Sequence, residues 1–174
     1  MVLLIKNGVI LSPDHEGQKD VLTAGGNIEA IDENIKLSGI ECETIDAKDC
    51  YVVPGLIDSH VHICGGGGEG GYKTRTPEIT LTDITMAGVT TVVGVLGTDG
   101  TTRTMSNLLA KTYALNEEGV TAYAYTGSYQ IPVRTVTGSI TDDLILIEKI
   151  IGTGEIAVSD HRSSVPTVEE LSRI

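Results

Sequence analysis

The sequence predicts an α/β fold in which a small β module, residues 1–50, precedes a series of strand–helix units. Residues 1–50 contain short apolar runs separated by turn dipeptides, whereas residues 51–174 alternate buried strands with amphipathic helices. Glycines that end predicted helices lie at positions 88, 119 and 152, so the unit repeats every 31 and then 33 residues. Such spacing is typical of a parallel sheet or barrel. We count four units, which is half of a (β/α)8 TIM-type barrel.

The β module is predicted to contain short strands joined by tight turns. Asn7-Gly8 is a hairpin dipeptide between two apolar runs, and Gly25-Gly26 precedes a further run. His15 lies in a polar stretch and is predicted to be a solvated loop residue. The predicted strands span residues 2–5, 9–11, 28–31 and 45–53.

The strand–helix units are predicted from buried strands and from helix-end signals. Thr76-Pro77-Glu78 supplies an N-cap, a proline at the first helical position and an early acid. Thr167 and Glu170 form a capping box at the start of a fourth helix. The predicted strands are 56–63, 91–96, 121–126 and a segment within 155–159. The predicted helices are 77–88, 106–118, 141–151 and one that opens at residue 167.

The composition excludes several classes of function. The 174 residues carry 24 Asp and Glu against 12 Lys and Arg, a net charge of −12, and include no Trp and no Phe. We expect no nucleic-acid partner, because such partners favour basic surfaces and aromatic stacking side chains. No apolar run approaches the roughly 18 residues of a membrane span, so we expect no membrane partner. Three cysteines without a Cys-x-x-Cys pair favour a reducing, cytoplasmic location.

His60-Val61-His62 is predicted to end the first strand of the barrel-type region. Side chains at i and i+2 of a strand share a face, so both imidazoles can converge on one ion where βα loops form active sites. Neutral imidazole suits Zn²⁺, Fe, Co and Ni. Asp58, on the same face, can support such a ligand by hydrogen bonding. The alternative is a pair of polar side chains at a strand end.

A glycine-rich segment, residues 65–71, follows this strand. It contains Gly-x-Gly-x-x-Gly, but a dinucleotide-binding motif would open a helix directly, and the next predicted helix starts only near Pro77. We therefore reject the dinucleotide interpretation. The bare backbone can approach a ligand closely, and Glu69, its one charged side chain, is well placed to bind a substrate ammonium group. A flexible linker is the alternative.

Polar residues follow the other predicted strands at the same edge. Thr98-Asp99 follows the second strand and Tyr129 the third. The Tyr129 hydroxyl can donate a hydrogen bond to a developing oxyanion, with packing at the rim as the alternative. Arg162 can bind a carboxylate bidentately, whereas Asp160-His161 is more typical of a hydrogen-bonded pair.

These motifs resemble the amidohydrolase superfamily of metal-dependent hydrolases. The run from Pro54 to His62 is similar to the entry motif of that superfamily, and residues 1–50 resemble part of its small β-sandwich domain. The resemblance implies that residues 51–174 are the N-terminal half of the TIM-type barrel of this superfamily. Within the superfamily the chain resembles the isoaspartyl dipeptidases, or β-aspartyl peptidases. The similar segments are 65–69, 74–78, 88–99, 108–119, 126–139 and 159–163.

The resemblance implies a role for each candidate residue. His60 and His62 would ligate one metal of a binuclear zinc site. The implied substrate contacts are Glu69 and the Gly67 backbone to the free α-amino group, Thr98 to the aspartyl carboxylate, Tyr129 to the scissile carbonyl, and Arg162 to the carboxylate of the leaving residue.

The chain departs from this family at Glu155, where familiar members carry a carboxylated lysine that bridges two metals. Both groups end in a carboxylate, so we expect Glu155 to be a metal ligand in the catalytic site. Glutamate reaches roughly 4 Å less, which requires a closer backbone or the loss of a metal. An exposed acid is the alternative. The family's later histidine ligands, second substrate-binding arginine and general-base aspartate would lie beyond Ile174.

The expected function is metal-dependent hydrolysis of isoaspartyl dipeptides, with this chain as the N-terminal half of the enzyme's polypeptide. The enzyme is expected to be a homo-oligomer. One alternative is an amidohydrolase that acts on a cyclic amide, as dihydroorotases and hydantoinases do. Glu69 and Arg162 argue against it, because a ring amide lacks the ammonium and carboxylate of a dipeptide. A second alternative is a non-catalytic half-barrel in which His60 and His62 are structural.

Overall fold

The computed structural model describes residues 1–174, which divide into two compact units, Met1–Pro54 and Gly55–Ile174. The first unit is built on one sheet, and the second combines a parallel sheet with helices. The α/β class with a parallel sheet is therefore confirmed. No helix combines the length and apolar character that a membrane crossing requires.

The first unit is a five-stranded sheet arranged around its first strand. The strands are β1 (Val2–Leu11), β2 (His15–Ala24), β3 (Asn27–Asp32), β4 (Glu43–Asp46) and β5 (Tyr51–Val52). β2 pairs antiparallel with β1 and β3 antiparallel with β2, whereas β4 and β5 both run parallel to β1. Gly25 and Gly26 have φ values of +59° and +89° and connect β2 to β3, and the strand that follows them is predicted over residues 28–31.

Two predictions for this unit are wrong. Asn7-Gly8 does not form a hairpin, because residues 2–11 are one strand in which Asn7 has a φ of +63° at a shift in register. The buried Asp20 carboxylate accepts a hydrogen bond from the backbone amide of Asn7 at 3.0 Å. This bond replaces the interstrand hydrogen bond that the backbone amide loses at the bulge. His15 is exposed as predicted, but it begins β2 instead of lying in a loop.

The second unit contains four parallel strands in the order β6-β7-β8-β9. The strands are β6 (Leu56–Val61), β7 (Val89–Gly94), β8 (Thr121–Thr126) and β9 (Ile150–Thr153). The helices are α1 (Leu81–Met86), α2 (Met105–Glu117), α3 (Ile140–Leu146) and α4 (Val168–Leu171). A single 3₁₀ turn, Tyr72–Thr74, lies in the loop that follows β6.

The core of this unit includes apolar side chains from the sheet, from the loops that follow β6 and β7, and from α1 and α2. Its members include Ile63, Val92, Leu96, Leu108 and Leu115, none of which is more than 1% exposed. Burial of this kind stabilises by about 1.5–3 kcal/mol per large apolar side chain. The core holds the sheet and α2 together, and the loops at the carboxyl edge of the sheet extend from this support.

Two predicted helices differ from the structure. The first begins at Leu81, where Thr80 and Asp83 form a capping box, and not at Pro77. Thr76 instead accepts a hydrogen bond from the Gly66 amide at 2.7 Å through its hydroxyl. A threonine before a proline marks a turn as readily as a helix start, and here the tertiary contact decides.

The predicted helix over 141–151 ends at Leu146, and residues 150–153 form β9. Gly152 therefore lies in a strand, and residues 155–159 are not a strand. A short apolar run does not distinguish the end of a helix from a buried strand by periodicity. Because β9 ends at Thr153, Glu155 lies two residues beyond the strand, at the carboxyl edge of the sheet.

Candidate functional site

The predicted site residues lie at one edge of the parallel sheet. Since the four strands run in the same direction, their carboxyl ends meet there, which is where α/β proteins bind ligands. His60 is in β6 and His62 directly follows it, Tyr129 follows β8 and Glu155 follows β9. The Tyr129 amide donates to the Gly97 carbonyl at 3.2 Å, which joins the loop after β8 to the loop after β7.

His60, His62 and Glu155 form one cluster of possible metal ligands. Glu155 Oε1 lies 3.2 Å from His62 Nε2, and its second oxygen contacts His60 Nε2. One ligand atom from each residue lies within 4.8 Å of the others. Two imidazoles and a carboxylate are a donor set that suits Zn²⁺ and other divalent transition metals. The residues present therefore fit a bound metal ion.

The backbone around this cluster leaves room for the His62 ring. Gly97 has a φ of +77°, and a Cβ at this position would lie 2.7 Å from His62 Nε2. A side chain at this position would displace the ring, so the approach of the β7 loop requires glycine. Asp58 accepts a hydrogen bond from the His60 amide at 3.1 Å and thereby constrains the backbone beside one candidate ligand.

Arg162 joins a second group of polar side chains at the same edge. It donates to both carboxylate oxygens of Asp160, at 2.9 and 3.1 Å, and to Glu69 at 2.6 Å. Its guanidinium also lies 5.2 Å from the centre of the Tyr129 ring. Hydrogen bonds from the Arg162 side chain and amide hold the pKa of Asp160 well below its ordinary range, and the same contact raises the pKa of Arg162. The guanidinium is therefore charged and held in a fixed orientation.

A cavity of about 210 Å³ brings the two groups together. Its lining includes His62, Gly67, Glu69, Thr98, Tyr129, Glu155 and Arg162. His60 adjoins it through Glu155. His161 does not line the cavity: its side chain is 82% exposed and lies 3.5 Å from Asp160. The structure thus gathers the predicted site residues around one cavity.

The glycine-rich loop forms one wall of this cavity. Gly65, Gly67 and Gly68 all have positive φ, and Gly67 makes an isolated antiparallel bridge with Arg75. The loop folds back on itself and does not open a helix directly. Glu69 lies at the turn of this loop, and its carboxylate accepts a hydrogen bond from Arg162.

Two arginines that hold this loop were not predicted from the sequence. Arg103 is only 4% exposed and donates to the carbonyls of Cys64 and Gly66, each at 3.0 Å. Arg75 donates to the Asp99 carboxylate at 2.6 Å. Burial alone would raise the pKa of Asp99, but hydrogen bonds from Thr102 and Arg75 outweigh it and hold that pKa well below its ordinary value of 3.8. No local motif marks these residues, because their partners are up to 39 positions away.

Comparison with known proteins agrees with this geometry. A family model described as "Amidohydrolase family" matches residues 43–157, more than half of the chain. The chain belongs to the amidohydrolase family. The crystal structure of a β-aspartyl dipeptidase from Fervidobacterium islandicum AW-1, in complex with β-Asp-Leu dipeptide, is 52% identical to this amidohydrolase and superposes with a TM-score of 0.95 over 100% of it. The resemblance noted in the sequence is thereby confirmed.

The chain is also similar to a dihydroorotase and to a D-hydantoinase. A dihydroorotase of Trichlorobacter lovleyi is 33% identical over 176 residues, which cover 99% of this chain. A D-hydantoinase from Bacillus sp. AR9 is 25% identical, with a TM-score of 0.62 over 98% of the chain. This amidohydrolase chain spans 46% of the length of the β-aspartyl dipeptidase, 39% of the dihydroorotase and 36% of the D-hydantoinase.

Proposed function

We propose that this protein is a metal-dependent hydrolase of β-aspartyl dipeptides. The observation that carries the proposal is the convergence of Glu69, Tyr129 and Arg162 on the cavity that His62 and Glu155 also line. An anionic and a cationic side chain beside a metal-type cluster suit a zwitterionic dipeptide. The 52% identity to a β-aspartyl dipeptidase that was crystallised with β-Asp-Leu supports the same substrate class.

His60, His62 and Glu155 are the proposed metal ligands, with zinc as the proposed ion and two ions per site. A bound divalent ion lowers the pKa of a coordinated water and polarises a carbonyl oxygen, which is the chemistry that amide hydrolysis requires. Glu155 supports this assignment because its two oxygens reach both imidazoles, as expected of a residue that replaces a carboxylated lysine.

The remaining residues are proposed to bind and orient the substrate. Glu69 and the Gly67 backbone accept hydrogen bonds from the α-ammonium group, and Thr98 donates to the aspartyl carboxylate. Arg162 binds the carboxylate of the leaving residue through a charge-assisted pair of hydrogen bonds. Tyr129 donates its hydroxyl proton in a hydrogen bond to the carbonyl oxygen as negative charge develops on that oxygen.

The finer architecture belongs to the same proposal. We infer that the parallel sheet of residues 51–174 is part of a (β/α)8 barrel, and that residues 1–50 are part of a small β-sandwich domain. The whole-chain superposition on a β-aspartyl dipeptidase twice as long supports both inferences. We also propose that the enzyme is a homo-oligomer.

Hydrolysis of matched peptides tests the proposal. The full-length protein, assayed with Zn²⁺, is expected to hydrolyse β-Asp-Leu and to leave α-Asp-Leu intact. Removal of metal by a chelator should abolish hydrolysis, and His62→Ala should lower both the bound metal and the activity. Failure to hydrolyse β-Asp-Leu would refute the substrate assignment, and full activity in His62→Ala would refute the metal site.

Hydrolysis of a cyclic amide is the second candidate, because a dihydroorotase is 33% identical over almost the whole chain. Dihydroorotate and hydantoin should therefore be assayed in parallel. Glu69→Gln separates the two candidate functions. It should strongly lower the turnover of β-Asp-Leu if the protein is a dipeptidase. Unchanged turnover of a ring amide in this variant would favour hydrolysis of a cyclic amide. A protein that binds no metal and hydrolyses none of these compounds would support the non-catalytic alternative.

A further inference from the structure

We propose that Arg75, Asp99 and Arg103 form a positioning network that sets the spacing between two parts of the substrate site. One part is the Gly67–Glu69 turn and the other is Thr98. The inference rests on the proposed function, in which these parts bind the amino group and the carboxylate of the same aspartyl residue. None of the three residues needs to touch the substrate for the network to act.

Arg103 joins the start of the glycine-rich loop to the residues that follow the loop. Its guanidinium donates to the carbonyls of Cys64 and Gly66 at the start of the loop, each at 3.0 Å, and to the carbonyl of Thr76, beyond its end, at 3.3 Å. Arginine presents its donors in a rigid plane, so one side chain can fix several carbonyls at once. Because Arg103 is 4% exposed, water competes little for these bonds.

Asp99 connects the middle of the loop to Thr98. Its carboxylate accepts from Arg75 Nη1 at 2.6 Å, and Arg75 is bridged through its backbone to Gly67. The same carboxylate accepts from the amides of Thr101 and Thr102, at 3.1 and 2.7 Å, which holds the segment just after Thr98 in a tight turn. A displacement of the loop would therefore break an ion pair adjacent to Thr98.

The network also affects the charge beside the site. Two arginines face one carboxylate, since Arg103 Nη1 lies 3.5 Å from the same Asp99 oxygen, so the cluster carries a net positive charge. A fixed positive charge next to Thr98 favours a carboxylate of the substrate at Thr98. A fixed distance between Thr98 and Glu69 favours an ammonium group on the carbon atom that bears this carboxylate. Together they select a free α-amino acid head over analogues that lack one of the two groups.

A pair of substrates that differ in one group tests this inference. N-succinyl-leucine is β-Asp-Leu without its amino group, so the ratio of their kcat/KM values reports the contribution of the Gly67–Glu69 turn. Arg75→Gln and Asp99→Asn are expected to lower this ratio at least tenfold, mainly by raising KM for β-Asp-Leu, and Arg103→Lys should do the same. A network that is only structural would lower kcat/KM for both substrates equally and leave the ratio unchanged.

Thr112→Val is the matched control. Thr112 is fully buried in α2 and donates to the Leu108 carbonyl at 2.8 Å, and it makes no hydrogen bond to the loop. It should lower thermal stability without changing the substrate ratio. Arg75 is the more tolerant test position if the Arg103 variant fails to fold, because its side chain is 32% exposed.

Hydrogen exchange separates this inference from the proposed function. In Arg75→Gln and Asp99→Asn the amides of residues 66–76 should exchange at least tenfold faster, with the α2 amides unchanged. If the wild-type protein hydrolyses neither substrate, the proposed function fails, and the exchange result alone decides whether the network holds the loop. An unchanged substrate ratio, or unchanged exchange over residues 66–76, in both variants would overturn the inference.

Discussion

Glu155 shows how one residue can connect the ends of two strands that are far apart in the chain. It follows β9 but contacts both histidines at the end of β6, 93 positions from His62. Its side chain is 20% exposed and those of His60 and His62 are 53% and 40% exposed, so the cluster is partly open to solvent. A carboxylate between two imidazoles limits how far either ring can rotate.

Tyr129→Phe provides a test at the residue scale. If the hydroxyl stabilises the developing oxyanion, its removal should lower kcat for β-Asp-Leu by about 10²–10³-fold and change KM by less than about threefold. Steady-state kinetics with the wild-type metal content verified will measure this. Tyr123→Phe is the control, because its ring lies under Lys149 at 5.2 Å, away from the cavity. An unaltered kcat in Tyr129→Phe would remove this residue from the mechanism.

Elements of both units are held in place by carboxylates that accept backbone and side-chain hydrogen bonds. Asp20 joins β2 to the bulge in β1, and Asp143 joins α3 to the segment that follows β8. In each case a buried charge compensates for backbone donors that regular pairing leaves free. These contacts decide where the strands and helices lie relative to the loops between them.

The bulge in β1 predicts a difference between two substitutions of Asn7. The left-handed backbone conformation at position 7 is about 1–2 kcal/mol less favourable for a β-branched residue, whereas glycine adopts it freely. Asn7→Val should therefore lower the free energy of unfolding by about 1–2 kcal/mol more than Asn7→Gly, as measured by urea denaturation. Both variants lose the bond from Asn7 Nδ2 to Asp46 at 2.8 Å, so each serves as control for the other. Equal stabilities would show that the bulge is not strained.

The buried Asp143 carboxylate predicts a dependence of stability on pH. Burial alone would raise its pKa, but hydrogen bonds from Thr126, Thr137 and Val136 outweigh this effect and lower it. Since the folded-state pKa lies below the unfolded one, the ionised form stabilises the protein at neutral pH. That stabilisation is lost as the pH falls from about 4 toward the folded-state pKa.

Asp143→Asn tests this dependence. It should lower the free energy of unfolding by about 2–3 kcal/mol at pH 7, and the difference from wild type should shrink below about pH 4. Denaturation curves at pH 7, 5 and 3.5 will show the trend. Asp142→Asn, at the exposed neighbouring position, should change stability by less than about 0.5 kcal/mol throughout. A constant difference between Asp143→Asn and wild type would contradict the assignment.

At the scale of the whole molecule, the parallel sheet has two strands with one neighbour each. β6 pairs only with β7, and β9 pairs only with β8. Apolar side chains on these strands are exposed: Ile57 by 71% and Ile151 by 49%. Open edges with apolar side chains favour association with other strands.

We expect the 174-residue polypeptide to self-associate when it is expressed by itself. Sedimentation velocity should show concentration-dependent species, and Ile57→Lys together with Ile151→Lys should reduce them. Met86→Lys is the control, because Met86 is 82% exposed on α1 and lies outside the sheet. A monodisperse wild-type polypeptide over a wide concentration range would refute this expectation.

Local signals identified most of the second unit. Strand β8 has the predicted bounds, and α2 differs from its prediction by one residue at each end, because Thr104 caps the start of the helix and Gly119 follows its end. The capping box at Thr167 and Glu170 was also correct. In contrast, β2 escaped prediction because its residues are mostly polar and it is recognised only by its pairing with β1.

The sequence by itself determined the α/β class, the family and the candidate site residues, because cap residues, turn glycines and the His-Val-His motif act over a few positions. Only the tertiary structure decided that Asn7-Gly8 is a bulge, that residues 150–153 are a strand and that Arg103 holds the glycine-rich loop. These outcomes depend on partners that are distant in the chain. A buried donor or acceptor must find such a partner wherever the fold supplies one, and no local pattern encodes that choice.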